Sequence, residues 1–182
     1  GLGHAVLRSM DLVGQEPFAV ILSDDVIDAE VPVLKQMIAA YEKYSAGAVL
    51  AIQRVPREAV SRYGIIRGRR IAEGVYDIED MVEKPKPADA PSDLAIIGRY
   101  LLPPSIFPAL LATKPGAGGE IQLTDAIRAL IGKERIIGFE FKGVRYDAGT
   151  KLGFQMANIA FALKDPEIGP GLRAFLKKEK LT

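Results

Sequence analysis

The chain contains no cysteine and only one histidine, and both scarcities restrict its chemistry. Without cysteine there are no disulfides, no zinc–thiolate sites and no thiol nucleophile. With a single histidine, a histidine-rich metal site is excluded too. Carboxylates and ligand oxygens would therefore have to hold any metal ion, which favours a hard divalent cation.

Net charge and long apolar runs are also lacking. The 24 lysines and arginines nearly balance the 23 acids, leaving a formal net charge of +1. No overall field therefore favours nucleic acid or an anionic membrane as a partner. No apolar run approaches the roughly 20 residues that span a bilayer, and no signal-peptide pattern is visible. We expect a cytoplasmic protein, with residues 1–182 forming one domain.

The stretch from Phe18 to Asp25 organises the rest of the sequence. Its short apolar run predicts a buried parallel strand, and it ends in Asp24 and Asp25. Ligands bind outside the carboxyl ends of strands in open α/β sheets, and two carboxylates there suit a divalent cation. Alternatively, either aspartate could only cap the following helix, since aspartate is a favoured N-cap and a helical pattern resumes by Val31.

Periodic apolar residues beyond this stretch predict an α/β fold. A helix over 31–44 is followed by a buried strand over 48–52, which makes a βαβ unit and an at least partly parallel sheet. Further strands are predicted at 63–66 and 71–82, separated by a turn at 68–70. Strands at 94–101, 136–141 and 144–146 follow.

Four later residues are candidates for binding, each with a structural alternative. Because proline disfavours helix at the preceding residue, Lys84 should be extended, with Glu83 and Lys84 on opposite faces. They would contact different parts of a ligand, or form a solvated strand edge. Gly98, inside a strand, marks close approach by a ligand or a bulge. Asp147 is a second carboxylate at a strand end, or a helix cap.

Two glycine-containing segments precede helical patterns. Gly1-Leu2-Gly3 would let a ligand approach the backbone, but Val6 stands where a dinucleotide fingerprint needs a third glycine, so an oxidoreductase is set aside. Residues 115–120 are glycine-rich and lead into a helix that Thr124 could cap. The chain starts without methionine or a lead-in strand, so we expect an N-terminal part to be missing.

Seven segments, in this order, resemble the bacterial UTP–glucose-1-phosphate uridylyltransferases, or UDP-glucose pyrophosphorylases. They are Gly1–Leu7, the Asp24–Asp25 strand end, Arg62–Ile66, Val82–Pro85, Ala95–Tyr100, Gly116–Asp125 and Tyr146–Gly153. The resemblance covers essentially the whole chain. It implies the nucleotide-diphospho-sugar transferase fold, a Rossmann-like mixed, mainly parallel sheet flanked by helices, with its N-terminal part missing. It also allows a homo-oligomer.

The chemistry implied by the resemblance joins UTP and glucose 1-phosphate into UDP-glucose and pyrophosphate. The sugar phosphate attacks the α-phosphorus in line with assistance from Mg²⁺, a reaction that depends on positioning and charge neutralisation. The resemblance implies that Asp24 and Asp147 bind the metal ion and that Lys84 binds a phosphate oxygen. Two alternatives are the same chemistry with another nucleotide or sugar phosphate, such as dTTP, and a fragment that binds sugar nucleotide without turnover.

The resemblance also implies which residues contact the nucleotide or the sugar. These are Gly1, Gly3, Gly64, Glu83, Lys84, Gly98 and Glu120, and Asp25 is a further candidate for binding the substrate. Among them, Gly1 and Gly3 would meet the uracil, Glu83 would bind sugar hydroxyls, and Glu120 would close the sugar pocket. Gly64 and Gly98 would let backbone groups approach the glucose.

One departure from the family pattern is large. The family begins with a Gly-x-Gly-Thr-Arg loop followed by proline and lysine, which holds the triphosphate, and nothing in this chain matches it. Losing comparable groups costs orders of magnitude in rate. We therefore expect the chain alone to be inactive, with a bare sheet edge that invites pairing.

Overall fold

A computed structural model describes residues 1–181, apart from the side chain of residue 117. It divides the chain into two compact units. The larger unit comprises Gly1–Leu22 and Glu30–Lys142, and the smaller unit comprises Ser23–Ala29 and the chain from Gly143 onward. The single domain expected over residues 1–182 stays a prediction.

Helices and strands follow one another along the chain much as the apolar periodicity indicates. The helices are α1 Leu2–Leu7, α2 Met10–Val13, α3 Val33–Lys43, α4 Ile106–Ala112, α5 Leu123–Arg128, α6 Lys151–Lys164 and α7 Gly169–Lys178, with 3₁₀ turns at Arg57–Arg62 and Ala117–Gly119. The strands are β1 Phe18–Ile21, β2 Asp25–Asp28, β3 Ala48–Arg54, β4 Gly64–Ala72, β5 Val75–Glu83, β6 Leu94–Leu102, β7 Ile136–Glu140 and β8 Val144–Asp147.

The larger unit contains a six-stranded sheet in the order β1-β6-β3-β7-β5-β4. Strands β3 and β7 run parallel, whereas the other strand pairs of this sheet are antiparallel. The mainly parallel sheet expected from the sequence is therefore wrong. Strand β6 lies between β1 and β3 and is antiparallel to both, so the two strands joined through α3 share a direction without being neighbours. An apolar run indicates burial on both faces but not the direction of the neighbouring strand.

Both faces of β3 are buried, as its continuous apolar sequence predicts. Ala48, Leu50 and Ile52 belong to a core cluster that includes residues of α1, α4 and α5. The intervening Val49 and Ala51 are also fully buried, and α3 packs on β3, β6 and β7. The unit is thus a mixed α/β structure with a helix-covered central strand.

The β4–β5 hairpin is longer than the sequence pattern suggests. The turn predicted at 68–70 is wrong, because β4 continues to Ala72 and the chain reverses at residues 73–74. Gly68 instead lies at a register shift between the two strands. At the other end of the hairpin, Gly64 is the register partner of Glu83.

The smaller unit is built on an antiparallel pair, β2 and β8, in which Asp25 lies opposite Asp147. Helix α6 is held against this pair by an ion pair between Lys164 and Asp28 and by the edge-on contact of Tyr146 with Phe161. Strand β2 is absent from the sequence prediction, which placed Asp24 and Asp25 at a strand end or a helix cap.

The cap interpretation of the three aspartates is wrong. Pro32 is the N-cap of α3. The Thr150 hydroxyl caps α6 by accepting a hydrogen bond from the Gly153 N–H at 3.1 Å. None of Asp24, Asp25 and Asp147 is therefore the N-cap of the helix that follows it.

Within residues 1–181, no helix combines the length and the apolar character that crossing a membrane would require.

Candidate functional site

The carboxylates of Asp24 and Asp147 come together in the smaller unit. Asp24 lies in the turn before β2, and its carbonyl accepts a hydrogen bond from the Ala148 N–H at 2.8 Å, just beyond the end of β8. A Cβ atom added to Gly149 would lie 2.9 Å from Asp24 Oδ2 and 3.2 Å from Asp147 Oδ1. Both carboxylates thus line the same side of Gly149, Asp24 exposed and Asp147 half-buried.

This pair offers only part of a coordination shell. Among residues 1–181, no cluster of three or more metal-ligating side chains occurs. Magnesium is commonly held by one or two carboxylates together with substrate phosphates and water, rather than by an all-protein cage. The donor set therefore fits a magnesium ion that arrives with a phosphorylated ligand.

A buried ion pair supports the acid pair. Asp25 and Arg145 are bonded to each other, and their side chains are only 9% and 10% exposed. Because strand side chains alternate, Arg145 lies on the same face of β8 as Asp147, and Asp25 lies opposite Asp147 on that face. The positive charge of Arg145 therefore offsets the repulsion between Asp25 and Asp147, which face each other. Asp25 itself belongs to the ion pair with Arg145.

Glu83 and Lys84 lie in the larger unit, where β5 ends. Lys84 has φ of +46°, so the extended backbone predicted for it is wrong. The placement on opposite faces also fails, because the strand ends at Glu83 and Lys84 Nζ lies 3.6 Å from Glu83 Oε1. A left-handed lysine costs on the order of 1–2 kcal/mol, and such strain concentrates at functional sites.

Thr124 contacts Glu83 from the first turn of α5. Its hydroxyl donates a hydrogen bond of 2.6 Å to Glu83 Oε2. The capping role considered for Thr124 is wrong, because Gln122 is the N-cap residue of this helix. Gly64 completes the contact: a Cβ there would lie 2.9 Å from Thr124 Oγ1 and 3.2 Å from Glu83 Oε2.

A second polar contact fixes α5 to β5. Arg128 Nε donates to Asp80 Oδ1 at 2.6 Å, one helical turn after Thr124. Burial of Asp80 opposes its ionisation, but the hydrogen bonds from Arg128 and from the Met81 N–H outweigh it and lower the pKa of Asp80. The helix that presents Thr124 is thus held by a charged pair.

Gly1 and Gly3 lie against the segment that leads into α5. The Gly3 N–H donates to the Ile121 carbonyl at 3.0 Å. A Cβ on Gly1 would come within 2.6 Å of Glu120 Oε2, and one on Gly3 within 2.6 Å of the Ile121 oxygen. Side chains at these positions would therefore displace the segment that contains Glu120.

Gly98 is buried in β6, where the register with β3 shifts between Leu50 and Ile52. The structural alternative considered for this glycine, a bulge, is thus present. Its carbonyl accepts from the Leu22 N–H at 2.8 Å, and Arg99 Nη1 donates to the Leu22 carbonyl at 2.9 Å. Approach of a ligand to Gly98 stays a prediction.

The sequence-predicted residues thus form three groups by contact. Asp24 and Asp147 meet in the smaller unit. In the larger unit, Gly64, Glu83 and Lys84 form one group, and Gly1, Gly3 and Glu120 form another. The binding roles of these residues stay predictions.

Sequence reasoning missed the contacts of two residues. The signal for Arg145 is its spacing, since it lies two residues before Asp147 on a strand and therefore on the same face. For Thr124, the contact with Glu83 arises from packing between α5 and β5, which sequence periodicity does not specify.

The chain is similar in sequence and in structure to known proteins. The sequence model described as Nucleotidyl transferase matches residues 1–162. UTP–glucose-1-phosphate uridylyltransferase 2 of Streptococcus pyogenes is 50% identical over 181 residues, covering 97% of this chain and 60% of the relative.

Two solved structures are similar to the chain. A UDP-glucose pyrophosphorylase complexed with UDP-glucose has a TM-score of 0.86 and 53% identity, covering 91% of this chain and 63% of that one. A UTP-bound UGPase from Acinetobacter baumannii has a TM-score of 0.85 and 34% identity, covering 97% and 61%.

The chain spans about 60% of the length of the curated relatives it matches. The family match, in contrast, extends over most of the chain and includes each of the three residue groups. The chain belongs to the nucleotidyl transferase family.

Proposed function

We propose that the protein containing this chain transfers a uridylyl group from UTP to glucose 1-phosphate. A phosphate oxygen of the sugar phosphate attacks the α-phosphorus of UTP, the bond to the β-phosphate breaks, and pyrophosphate leaves. The products are UDP-glucose and pyrophosphate. The observation that carries the proposal is the similarity to a pyrophosphorylase complexed with UDP-glucose, at 53% identity and a TM-score of 0.86.

We assign the acid pair to Mg²⁺. Asp24 and Asp147 would hold the ion, which supplies charge neutralisation to phosphate oxygens when bound. The support is the approach of both carboxylates to one side of Gly149. Asp25, in its buried pair with Arg145, would act by fixing β2 against β8 rather than by touching the ligand.

We assign the Glu83–Lys84 pair to the sugar phosphate. Lys84 Nζ is exposed and can donate to a phosphate oxygen, a charge-assisted contact. Glu83 accepts hydrogen bonds from sugar hydroxyls, and buried Gly64 lets the ligand approach the backbone. The third group, Gly1, Gly3 and Glu120, would contact the uracil and close the sugar pocket. The cytoplasmic location predicted from the sequence stays a prediction.

Two experiments test this proposal. Calorimetric titration of the chain with UDP-glucose and dTDP-glucose, both with Mg²⁺, should show tighter binding of UDP-glucose. Equal or stronger binding of dTDP-glucose would favour the same chemistry with another nucleotide. Pyrophosphate release from UTP and glucose 1-phosphate then separates an enzyme from a fragment that binds without turnover.

A further inference from the structure

Thr124 is surrounded by apolar core residues, yet its hydroxyl donates a hydrogen bond to the carboxylate of Glu83. The residue is 8% exposed, and its neighbours Leu123, Ala126 and Ile127 are all buried in the core cluster. A threonine at such a position would ordinarily be replaceable by valine, which has nearly the same shape. The hydroxyl, however, donates at 2.6 Å to Glu83 Oε2, the distance typical of an O–H group bound to a charged oxygen.

Gly64 packs closely against the hydrogen bond between Thr124 and Glu83. Gly64 faces Glu83 in the β4–β5 register. A Cβ at Gly64 would press on both members of the bond, at 2.9 Å from Thr124 Oγ1 and 3.2 Å from Glu83 Oε2. The Glu83 side chain is only 14% exposed, so its carboxylate has few orientations open to it.

The two oxygens of Glu83 therefore have different surroundings. Oε2 accepts from Thr124, whereas Oε1 lies 3.6 Å from Lys84 Nζ, the cation assigned to phosphate. A carboxylate with both oxygens unrestrained can rotate about its terminal torsion, which is a broad well. A donor fixed on a helix removes that freedom.

We propose that Thr124 is a positioning residue for sugar recognition. It holds Oε2 of Glu83, so that Oε1 is presented to a hydroxyl of the hexose beside the phosphate held by Lys84. The inference rests on the role proposed above for Glu83. It adds that the hydroxyl of Thr124, acting through Glu83, sets the contribution of the sugar to binding.

The test compares UDP-glucose with UDP, which lacks the sugar, by calorimetry on wild-type chain, Thr124→Val and Thr124→Ser. For Thr124→Val we expect about a tenfold loss of UDP-glucose affinity, because a hydrogen bond to a charged group is removed, and less than about a twofold change for UDP. Thr124→Ser keeps a hydroxyl and should restore most of the UDP-glucose affinity. A purely structural role would weaken both ligands alike.

Two further variants separate position from folding. Thr113→Val removes the hydroxyl of the residue that follows α4, which donates to the Ala109 carbonyl at 2.7 Å, and should leave the ratio of the two affinities unchanged. In a Glu83→Gln background, Thr124→Val should have no additional effect on that ratio. If Thr124→Val does not fold, Thr124→Ala, which introduces no bulk, is measured instead.

The outcomes distinguish this inference from the proposed function. If wild-type chain binds UDP-glucose no more tightly than UDP, the sugar-binding role of Glu83 fails, and the inference fails with it. If the wild type favours UDP-glucose but the valine and alanine variants keep the full preference, only the role of Thr124 is overturned.

Discussion

Two adjacent aspartates in the smaller unit have opposite environments. Asp24 is exposed in a turn and lines one side of Gly149 with Asp147. Asp25 is buried against Arg145. We propose that Asp24 serves a ligand and Asp25 the fold, and a pair of isosteric substitutions separates the two roles.

Asp25→Asn should destabilise the chain by about 3 kcal/mol, because the variant leaves the guanidinium of Arg145 buried without its charged partner. Asp24→Asn should change the free energy of unfolding by less than about 0.5 kcal/mol, as is usual for exposed sites. Urea unfolding followed by circular dichroism measures both. Equal effects of the two variants would contradict the different roles assigned to these neighbours.

Gly149→Ala should impair the acid pair without unfolding the chain. The added Cβ would lie 2.9 Å from Asp24 Oδ2 and 3.2 Å from Asp147 Oδ1, and both are side-chain tips that can move aside. We expect most of the enhancement of UDP-glucose binding by Mg²⁺ to be lost, because removing the groups that orient metal ligands commonly costs about 10- to 100-fold in metal affinity. Calorimetry with and without Mg²⁺ measures the change, and unaltered magnesium dependence would contradict it.

For individual residues, the sequence predicted the candidate site residues better than it predicted their backbone conformations. The carboxylates at residues 24 and 147 were expected at strand ends, and the structure brings them together. Lys84 was expected to be extended because Pro85 follows it, but it has φ of +46°. The local preference imposed by a proline was overridden by the hairpin, in which the Lys84 N–H donates to the Tyr63 carbonyl at 2.9 Å.

Helix α6 packs closely against Asp147, a proposed site residue. A Cβ on Gly153, in its first turn, would overlap the carbonyl oxygen of Asp147 and lie 2.8 Å from Thr150 Oγ1. The helix can thus approach the end of β8 only with glycine at this position, and this approach holds Asp147 in place.

Gly153→Ala should therefore destabilise the chain by about 1–3 kcal/mol, since the backbone must shift to accept the methyl group. Gly171→Ala in α7 is the matched control. No atom of the described residues 1–181 lies within 4 Å of its added Cβ, and alanine is the better helix former by up to about 1 kcal/mol. The midpoint temperature of thermal unfolding should fall for Gly153→Ala and rise for Gly171→Ala. An unchanged midpoint for Gly153→Ala would contradict the close packing.

The contact between Asp80 and Arg128, which joins β5 to α5, should contribute to the free energy of unfolding in a pH-dependent way. The pKa of Asp80 is lowered in the folded state by its bond to Arg128, so this contribution exists above the ordinary value of 3.8 and is lost as the pH falls through the lowered pKa. Asp80→Asn, which keeps the acceptor for the Met81 N–H, should cost about 0.5–1 kcal/mol at pH 7, and this cost should diminish as the pH falls through the lowered pKa. A pH-independent difference in unfolding free energy would contradict it.

Element types could largely be predicted from apolar periodicity, whereas strand partners could not. The pattern over β3 indicated a strand buried on both faces, and that is its environment. It did not reveal that antiparallel β6 separates β1 from β3, because β6 follows β3 in sequence only after the β4–β5 hairpin. Strand β2 was missed for the same reason, since its partner lies about 120 residues away.

At the scale of the whole chain, the residues proposed to bind the ligand are divided between the two compact units. The acid pair lies in the smaller unit, and the Glu83–Lys84 pair lies in the larger one. The sequence resemblance predicted that these groups serve one ligand, a cation-bound diphosphate that carries a hexose. Local contacts explain each group separately, and only a ligand that requires both can test their joint use.

Magnesium-dependent binding of UDP-glucose is therefore the most direct measurement. Isothermal titration of wild-type chain, with Mg²⁺ or with a chelator, should show at least about tenfold tighter binding with the ion, and Asp147→Asn and Asp24→Asn should each remove most of that difference. Lys84→Ala should weaken binding in both conditions, because it loses a charge-assisted contact to phosphate. Unchanged magnesium dependence in both aspartate variants would contradict the assignment of the acid pair.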